Sequence, residues 1–267
     1  MRETRRGGRL KHNEIVRQSF TERAEAYAKS PWVTDEERIA RLVATARPKR
    51  DDRVLDVACG PGHIAEAFSH VCREVIGVDL TEAPLAIADE RRRAREITNL
   101  SFRACDVQHL PFGGEEFDIV VCRLGMHHLE HPLKVLTEMA RVCRVGGNVV
   151  IEDIIPSEHP ERAAFLNRCE AIRMPAHARF LPLSELLLLF RDAGIEIHTV
   201  TTAEVVPELE RWLAKTPPDR AAEVRRLFEE DRIGDLSGLQ PYLDEQGRLF
   251  FHQHLAVVAG RKLNGKQ

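Results

Sequence analysis

The sequence lacks several features that would assign it to a particular class of protein. No apolar run approaches the roughly 20 residues that a membrane-spanning helix needs, and the N-terminus has no apolar stretch typical of a secretory signal. The formal net charge is only −3, which gives no general attraction to nucleic acid or to an anionic membrane. We therefore expect a cytoplasmic protein with no nucleic-acid partner and no stable membrane insertion.

The cysteines do not form a recognisable pattern either. There are six of them and no Cys-x-x-Cys pair. Most fall in predicted strands, in turns at strand ends or at a helix end, where a thiol is normally buried and reduced. Hydrophobic residues make up 43% and charged residues 30% of the chain, which is typical of a folded domain with an ample core. The sequence predicts neither disulfides nor a metal site.

The most informative segment is residues 53–65. Residues 53–57 form a mostly apolar run with an acid, Asp56, near its end. The turn that follows contains Gly60 and Gly62. Apolar residues then recur at helical spacing. The pattern predicts a buried strand that turns sharply into a helix, with few side chains in the turn, so that a ligand can approach the backbone N–H groups.

A second strand strengthens this interpretation. Residues 74–79 are apolar and end in Asp79, at the place where α/β nucleotide-binding folds carry the acid that accepts a hydrogen bond from a ribose hydroxyl. A glycine turn alone is weak evidence, but a glycine turn followed by a second strand and an acid predicts a nucleoside-binding domain.

Two residues indicate which nucleoside binds. The spacing Gly60-x-Gly62-x-x-Ala65 also fits a dinucleotide site, so a nicotinamide-dependent oxidoreductase is one alternative. Pro61, however, has no N–H to offer a pyrophosphate, and the carboxylate of Asp56 would repel phosphates. S-adenosylmethionine (SAM) has an ammonium, a sulfonium and a ribose but no phosphate, and therefore fits better.

These motifs resemble those of the class I SAM-dependent methyltransferases, most closely the subgroup of ubiquinone and menaquinone biosynthesis (methyltransferase type 11). The glycine turn matches the family's first motif, with Ala58 in place of its first glycine. Four later segments match in order: Asp79-Leu80-Thr81, Cys105-Asp106-Val107-Gln108-His109-Leu110-Pro111-Phe112, 117–123 and 139–147. The resemblance covers residues 53–155.

The resemblance implies a cofactor site formed by Tyr27, Asp56, Ala58, Gly60, Gly62, Asp79, Leu80, Asp106, Val107 and Arg123. The glycine turn would lie beneath the methionine part and Asp79 would hold the ribose hydroxyls. Leu80 would pack on the adenine, and Asp106 with Val107 would bind its amino edge. Arg123 would make its contact through the backbone. Tyr27 would close over the cofactor, although it is equally well an ordinary core aromatic.

The catalytic candidate is His127, which follows the predicted fourth strand. Methyl transfer requires a base only if the acceptor loses a proton, and His127 would supply that base, the alternative being a packing role. We also expect residues 171–183, which include His177 and Arg179, to cap the acceptor site, and Trp212 to influence the choice of acceptor.

The predicted fold is α/β: a doubly wound, mostly parallel seven-stranded sheet with a reversed last strand and added cap helices. Residues 1–12 are expected to be a basic disordered tail, and residues 13–267 a single domain with N-terminal helices (13–47) and cap helices (about 157–183 and 207–233). Predicted strands lie near 53–57, 74–79, 100–104, 117–122, 148–154, 195–206 and 249–259.

The acceptor is expected to be a small molecule, apolar or aromatic, methylated on carbon or oxygen. Where nucleobase and glutamine N-methylating relatives carry Asn/Asp-Pro-Pro-Tyr, this chain has Arg123-Leu124-Gly125-Met126, which argues against those substrates. The enzyme would be a monomer or a homodimer. A SAM-binding sensor or regulatory subunit without catalysis is the alternative.

Overall fold

The computed structural model describes residues 3–264 of the chain. The helices are α1 (Glu3–Ala28), α2 (Pro31–Thr34), α3 (Glu36–Ala46), α4 (His63–Ser69), α5 (Glu82–Ala94), α6 (Pro132–Val142), α7 (Pro160–Arg173), α8 (Leu183–Asp192), α9 (Leu209–Leu213) and α10 (Pro218–Gly234). The strands are β1 (Arg53–Val57), β2 (Glu74–Asp79), β3 (Leu100–Ala104), β4 (Phe117–Arg123), β5 (Cys143–Ile155), β6 (Ile195–Val205), β7 (Tyr242–Leu243), β8 (Leu249–Phe250) and β9 (Gln253–Lys262).

Seven of these strands form one sheet in the order β3-β2-β1-β4-β5-β9-β6. The first five are parallel, while β9 is antiparallel to both of its neighbours, β5 and β6. The predicted fold class, including the reversed last strand, is confirmed. Because the chain order changes direction between β1 and β4, the carboxyl ends of these two strands leave a crevice, which is where open α/β sheets bind ligands.

The central strands are buried on both faces, which explains their unbroken apolar sequences. In β1, Leu55 packs on one side of the sheet with residues from α6 and α8. Its neighbour Val54 packs on the other side with residues from α3 and α4. Successive side chains of a strand point to opposite faces, so β1 anchors both hydrophobic cores and fixes the position of the glycine turn that follows it.

A third hydrophobic core lies among the added helices. It joins α7, α9 and α10 with β8 and includes Trp212, Phe228 and Phe251. The ring centroids of Trp212 and Phe251 are 5.3 Å apart, and those of Phe228 and Phe251 are 4.9 Å apart. Helix α9 ends at Leu213 and α10 begins at Pro218. Within residues 3–264 no helix is long and apolar enough to cross a membrane.

Several predicted boundaries differ from the structure. Helix α1 begins at Glu3, so it includes most of the expected tail, whose first two residues lie outside the described part. Within the N-terminal helices expected over residues 13–47, the short α2 separates α1 from α3, and α3 begins at Glu36 because the side chain of Asp35 accepts a hydrogen bond from the backbone N–H of Arg38. Strand β5 begins at Cys143, five residues before the predicted start, and the predicted last strand is divided into β8 and β9.

Candidate functional site

A cavity lies at the carboxyl ends of β1, β2 and β4, beneath helix α1. It has a volume of about 880 Å³, including the part that is open to solvent. The lining residues come from α1, the glycine turn and the ends of four strands. They are Asn13, Val16, Phe20, Tyr27, Val33, Asp56, Ala58, Cys59, Gly60, Pro61, His63, Ile64, Asp79, Leu80, Asp106, Val107, Gln108, Arg123, Leu124, Gly125, His128 and Leu129.

The turn after β1 forms the floor of the cavity. The Oδ2 of Asp56 accepts a hydrogen bond of 3.0 Å from the backbone N–H of Ala65, which ties the end of the strand to the first turn of α4. Ala58 has a φ of +56°, a left-handed conformation that costs a residue with a Cβ about 1–2 kcal/mol. That strain gives a physical reason for the glycine that the family's motif has at this position.

Gly62 does not line the cavity, contrary to the predicted cofactor contact. A Cβ at this position would lie 2.8 Å from the Phe102 ring and 2.9 Å from the Cβ of Ala88. Both distances are too short for two carbon atoms. Gly62 is therefore needed for close packing of the turn against β3 and α5, and Gly60 is the glycine that faces the cavity.

Asp56 and Asp79 give the floor two carboxyl groups, of which that of Asp56 is buried and that of Asp79 is half-buried. Asp79 accepts hydrogen bonds from the backbone N–H of Gly60 at 2.9 Å and from that of Thr81 at 2.8 Å. Burial raises the pKa of Asp79, and it raises the pKa of Asp56 to about 8. Asp56 is 1% exposed. Two acids with raised pKa values fit a ligand that brings positive charge and hydrogen-bond donors.

The opposite end of the cavity is formed by the residues predicted to hold adenine. Leu80, Asp106 and Val107 all line it. The Oδ1 of Asp106 accepts a hydrogen bond of 2.9 Å from the backbone N–H of Gln108, and its Oδ2 accepts one of 3.5 Å from the Nδ2 of Asn13 on α1. Helix α1 therefore closes over this end.

Helix α1 contributes four lining residues, of which sequence reasoning found only Tyr27. Asn13, Val16 and Phe20 were missed, although their spacing of three and four residues places them on one helix face. The Tyr27 ring lies 3.6 Å from the position that a Cβ on Gly60 would take, next to the glycine turn, and its closure over the cofactor stays a prediction. Burial raises the pKa of Tyr27 to about 12, so its hydroxyl stays protonated.

Arg123 lies at the end of β4, with its side chain 3% exposed. Its Nε donates a 3.0 Å hydrogen bond to the Oε1 of Glu152, and its Nη2 donates a 2.8 Å hydrogen bond to the carbonyl of Trp32 on α2. The same oxygen of Glu152 accepts a 2.8 Å hydrogen bond from Arg38. The guanidinium thus attaches α2 to the end of the sheet.

The two adjacent histidines have different surroundings. His127 is absent from the cavity wall, and its Nδ1 lies 2.6 Å from the Oδ1 of Asp153. His128 lines the cavity. Its Nδ1 donates a 2.9 Å hydrogen bond to the carbonyl of Ala176, and its ring meets the edge of Phe20 with a centroid separation of 4.9 Å. Burial lowers the pKa of His128 well below 6.5, so the ring is neutral and its Nε2 is an acceptor.

The segment expected to cap the acceptor site lies behind the wall of the cavity. Met174 and Ala176 pack against Val16 of α1. The Nε2 of His177 donates a 2.8 Å hydrogen bond to Asn167, and Arg179 pairs with Glu185. None of these residues lines the cavity. Their contribution is to support α1 and His128, and the expectation of a direct cap is corrected accordingly.

Comparisons with known proteins agree with the motifs. Residues 55–151 match the family model described as a methyltransferase domain. The chain is 30% identical over 207 residues to the uncharacterised methyltransferase YcgJ of Bacillus subtilis, covering 77% of this chain and 82% of that protein. The crystal structure of YcgJ superposes with a TM-score of 0.80 at 27% identity, covering 86% of this chain and all of that one.

Two more distant proteins have assigned activities. A ubiquinone biosynthesis O-methyltransferase of Acinetobacter baumannii is 28% identical over 169 residues, 61% of this chain and 71% of that protein. A geranyl diphosphate C-methyltransferase of Streptomyces coelicolor, solved with S-adenosyl-L-homocysteine, superposes with a TM-score of 0.62 at 17% identity, covering 86% of this chain and 79% of that one, which shows a shared fold alone. With its motifs, its sheet order and its similarity to YcgJ, the chain belongs to the class I SAM-dependent methyltransferases.

Proposed function

We propose that the protein methylates a small, neutral and largely apolar acceptor, on oxygen or carbon, at the end of the cavity where Phe20 and His128 meet. The observation that carries the proposal is the continuity of the cavity: one space joins Asp79 and Asp106 to His128 beneath α1. A donor and an acceptor held in one closed space are aligned for transfer without a further rearrangement.

The donor end fits SAM by its charges. The buried carboxylate of Asp56 suits the cationic methionine end, and Asp79 suits the ribose hydroxyls. Burial raises the pKa values of both carboxyl groups, so a ligand that brings positive charge and hydrogen-bond donors stabilises their ionised forms. At the adenine end, Leu80 supplies an apolar surface and Asp106 an acceptor for the amino group. When bound, SAM supplies an electrophilic methyl group.

The acceptor end is apolar apart from one group. Val16, Phe20 and Leu129 line it together with His128. Among the described lining residues there is no lysine, and Arg123 is held at the Trp32 side. An anionic acceptor would therefore find no lysine or arginine other than Arg123 among the described lining residues, which favours a neutral molecule with a hydroxyl or an acidic carbon.

His128 is the residue we propose to receive the acceptor's proton, in place of the sequence-based candidate His127. Its Nδ1–H is directed to Ala176, so its unprotonated Nε2 is the nitrogen available to the cavity. A hydroxyl that hydrogen-bonds to Nε2 loses its proton there as its oxygen gains the methyl group. A weak base is sufficient, because an oxygen that is being methylated becomes strongly acidic. The role of His127 is then to pair with Asp153.

A turnover assay tests the proposal. The purified protein is incubated with methyl-labelled SAM and a panel of phenols, enolisable ketones, aliphatic alcohols, amines and carboxylates, and labelled product is counted. We expect transfer to a neutral hydroxyl or carbon acceptor. Transfer confined to amines or carboxylates would refute the proposed acceptor class, and tight SAM binding without turnover on any acceptor would favour a SAM-binding sensor.

A further inference from the structure

The end of the cavity near α2 contains an imbalance of buried charge. Arg38 and Arg123 donate to the same oxygen of Glu152, at 2.8 and 3.0 Å. Their side chains are 8% and 3% exposed, and that of Glu152 is 3% exposed. Two guanidinium groups thus share one carboxylate. The charge of Arg123 also acts on the carboxyl of Asp56, whose pKa of about 8 leaves it largely protonated at neutral pH, so this arrangement favours a ligand that brings a negative charge.

Arg123 is part of the wall of the cavity. Among the described residues that line the cavity it is the one arginine or lysine. Its three hydrogen bonds, to Glu152, Trp32 and Val33, use three of the five N–H groups of a guanidinium. One N–H on each terminal nitrogen remains for another acceptor.

The charge of Arg123 also reaches neighbouring groups in the cavity. It acts to lower the pKa of Tyr27 and the pKa of Asp56, opposing the effect of burial on both. The hydroxyl of Tyr27 has no hydrogen-bond partner among the described residues. Tyr27 thus offers a protonated hydroxyl donor, and Arg123 a cation, at the same end of the cavity.

We propose that Arg123 and Tyr27 bind the carboxylate of the methionine part of SAM. The proposal rests on the proposed function and goes beyond it, since it assigns the Arg123 side chain to a contact that the resemblance gave only to its backbone. SAM is zwitterionic at this end: its ammonium belongs beside Asp56 on β1, and its carboxylate beside Arg123 at the end of the adjacent strand β4. Arginine N–H groups match the two oxygens of a carboxylate.

The test uses two ligands that differ only in this carboxylate, SAM and decarboxylated SAM. Calorimetry of the wild-type protein should give about 10- to 100-fold tighter binding of SAM, as expected for charge-assisted hydrogen bonds. Arg123→Met should reduce this ratio to within about threefold, and Arg123→Lys should retain part of it. Tyr27→Phe, which keeps the ring, should reduce the ratio by a smaller factor.

The controls separate the possible failures. Asp79→Asn should weaken both ligands by the same factor, because both contain the ribose. If Arg123→Met also weakens both ligands equally, Arg123 acts only by attaching α2 and the inference is wrong. If the Arg123 variants do not fold, Tyr27→Phe provides the test. An unchanged ratio of SAM affinity to decarboxylated SAM affinity refutes the tyrosine contact. A reduced ratio supports a carboxylate site shared by Tyr27 and Arg123. Absence of SAM binding to the wild-type protein would instead refute the proposed function.

Discussion

The backbone N–H of Gly60 donates a 2.9 Å hydrogen bond to the Oδ2 of Asp79. The glycine turn after β1 and the acid at the end of β2 are thus one unit, although 19 residues separate them. The Oδ1 of Asp79 accepts from Thr81 in the same way. Asp79 therefore both shapes the turn and presents its remaining lone pairs to the ligand.

Asp79→Ala should weaken SAM binding by about 1–3 kcal/mol, because it removes charged hydrogen bonds to the ribose. Calorimetry measures this loss directly. The matched control is Asp89→Ala on α5, which removes an acid that pairs with Arg92 outside the cavity and should leave SAM affinity unchanged. NAD binding tighter than SAM binding in the wild-type protein would contradict the assigned cofactor.

Asp56 should make the stability of the ligand-free protein depend on pH. Burial raises its pKa from 3.8 to about 8, so between these values the folded protein keeps a proton that the unfolded chain has lost. The free energy of unfolding therefore falls as pH rises toward 8. Burial has the opposite effect on His63 and His177, lowering their pKa values to about 4. As pH rises from about 4, these two histidines add to the free energy of unfolding, and their contribution is complete above about pH 6.5.

Between pH 6.5 and 8, Asp56 is therefore the one of these three groups whose titration changes the free energy of unfolding. Denaturant unfolding of the ligand-free protein should show a decline of at most about 1.4 kcal/mol per pH unit there, and Asp56→Asn should flatten it. SAM affinity should change in the opposite direction, rising with pH up to about 8 as the carboxylate ionises. Equal pH profiles for the two proteins would show that Asp56 keeps an ordinary pKa.

The sequence predicted the elements that a local residue pattern marks and missed those that it does not mark. The bounds of β1, β2 and β3 were predicted to the residue, because each is a short segment that begins directly after a charged or polar residue, Asp52, Arg73 and Asn99 respectively. The start of α1 was missed, since residues 3–12 are basic and have no apolar periodicity to mark a helix. Its lining residues Val16 and Phe20 were missed for a related reason: an amphipathic face predicts burial, without indicating whether a core or a cavity lies beneath.

The histidines illustrate a second limit. The sequence-based candidate was His127, and neighbouring residues point in different directions, so only one of His127 and His128 is expected to reach an acceptor. Which one does so depends on the single 3-10 turn over Met126–His128 and on the partners Asp153 and Ala176. These partners lie 26 and 48 residues away, and no local pattern connects them to the turn.

Phe20 should determine how the acceptor binds. Its ring lines the cavity and meets His128 edge to face at 4.9 Å. Phe20→Ala should therefore raise the acceptor KM about tenfold, the loss expected when part of an apolar contact is removed, with a smaller change in SAM affinity. An equal loss of SAM affinity would place Phe20 in the cofactor site.

Trp212→Ala is the matched aromatic truncation outside the cavity. Trp212 is buried in the third core against Phe228 and Phe251, so its loss should lower the free energy of unfolding by about 3–5 kcal/mol. Measured where the variant is folded, its acceptor preference should match that of the wild type. A changed preference would restore the expectation that Trp212 contributes to the choice of acceptor.

His128→Ala should lower the methyl-transfer rate about a hundredfold or more on a hydroxyl acceptor, and leave SAM affinity nearly unchanged, because it removes the proposed proton acceptor. His127→Ala is the adjacent control. It leaves Asp153 without its imidazole partner and should reduce stability, while the single-turnover rate of the folded protein stays within about tenfold of the wild type.

The pH–rate profile tests the role of His128 independently. Since burial holds the pKa of His128 well below 6.5, its imidazole is already unprotonated above pH 6, and single-turnover rates with saturating SAM should be nearly flat from pH 6.5 to 9. A base with an ordinary histidine pKa would instead produce a falling limb centred near pH 6.5. If such a limb appears and His127→Ala removes it, the proton acceptor is His127, and His128 only shapes the wall beside Phe20.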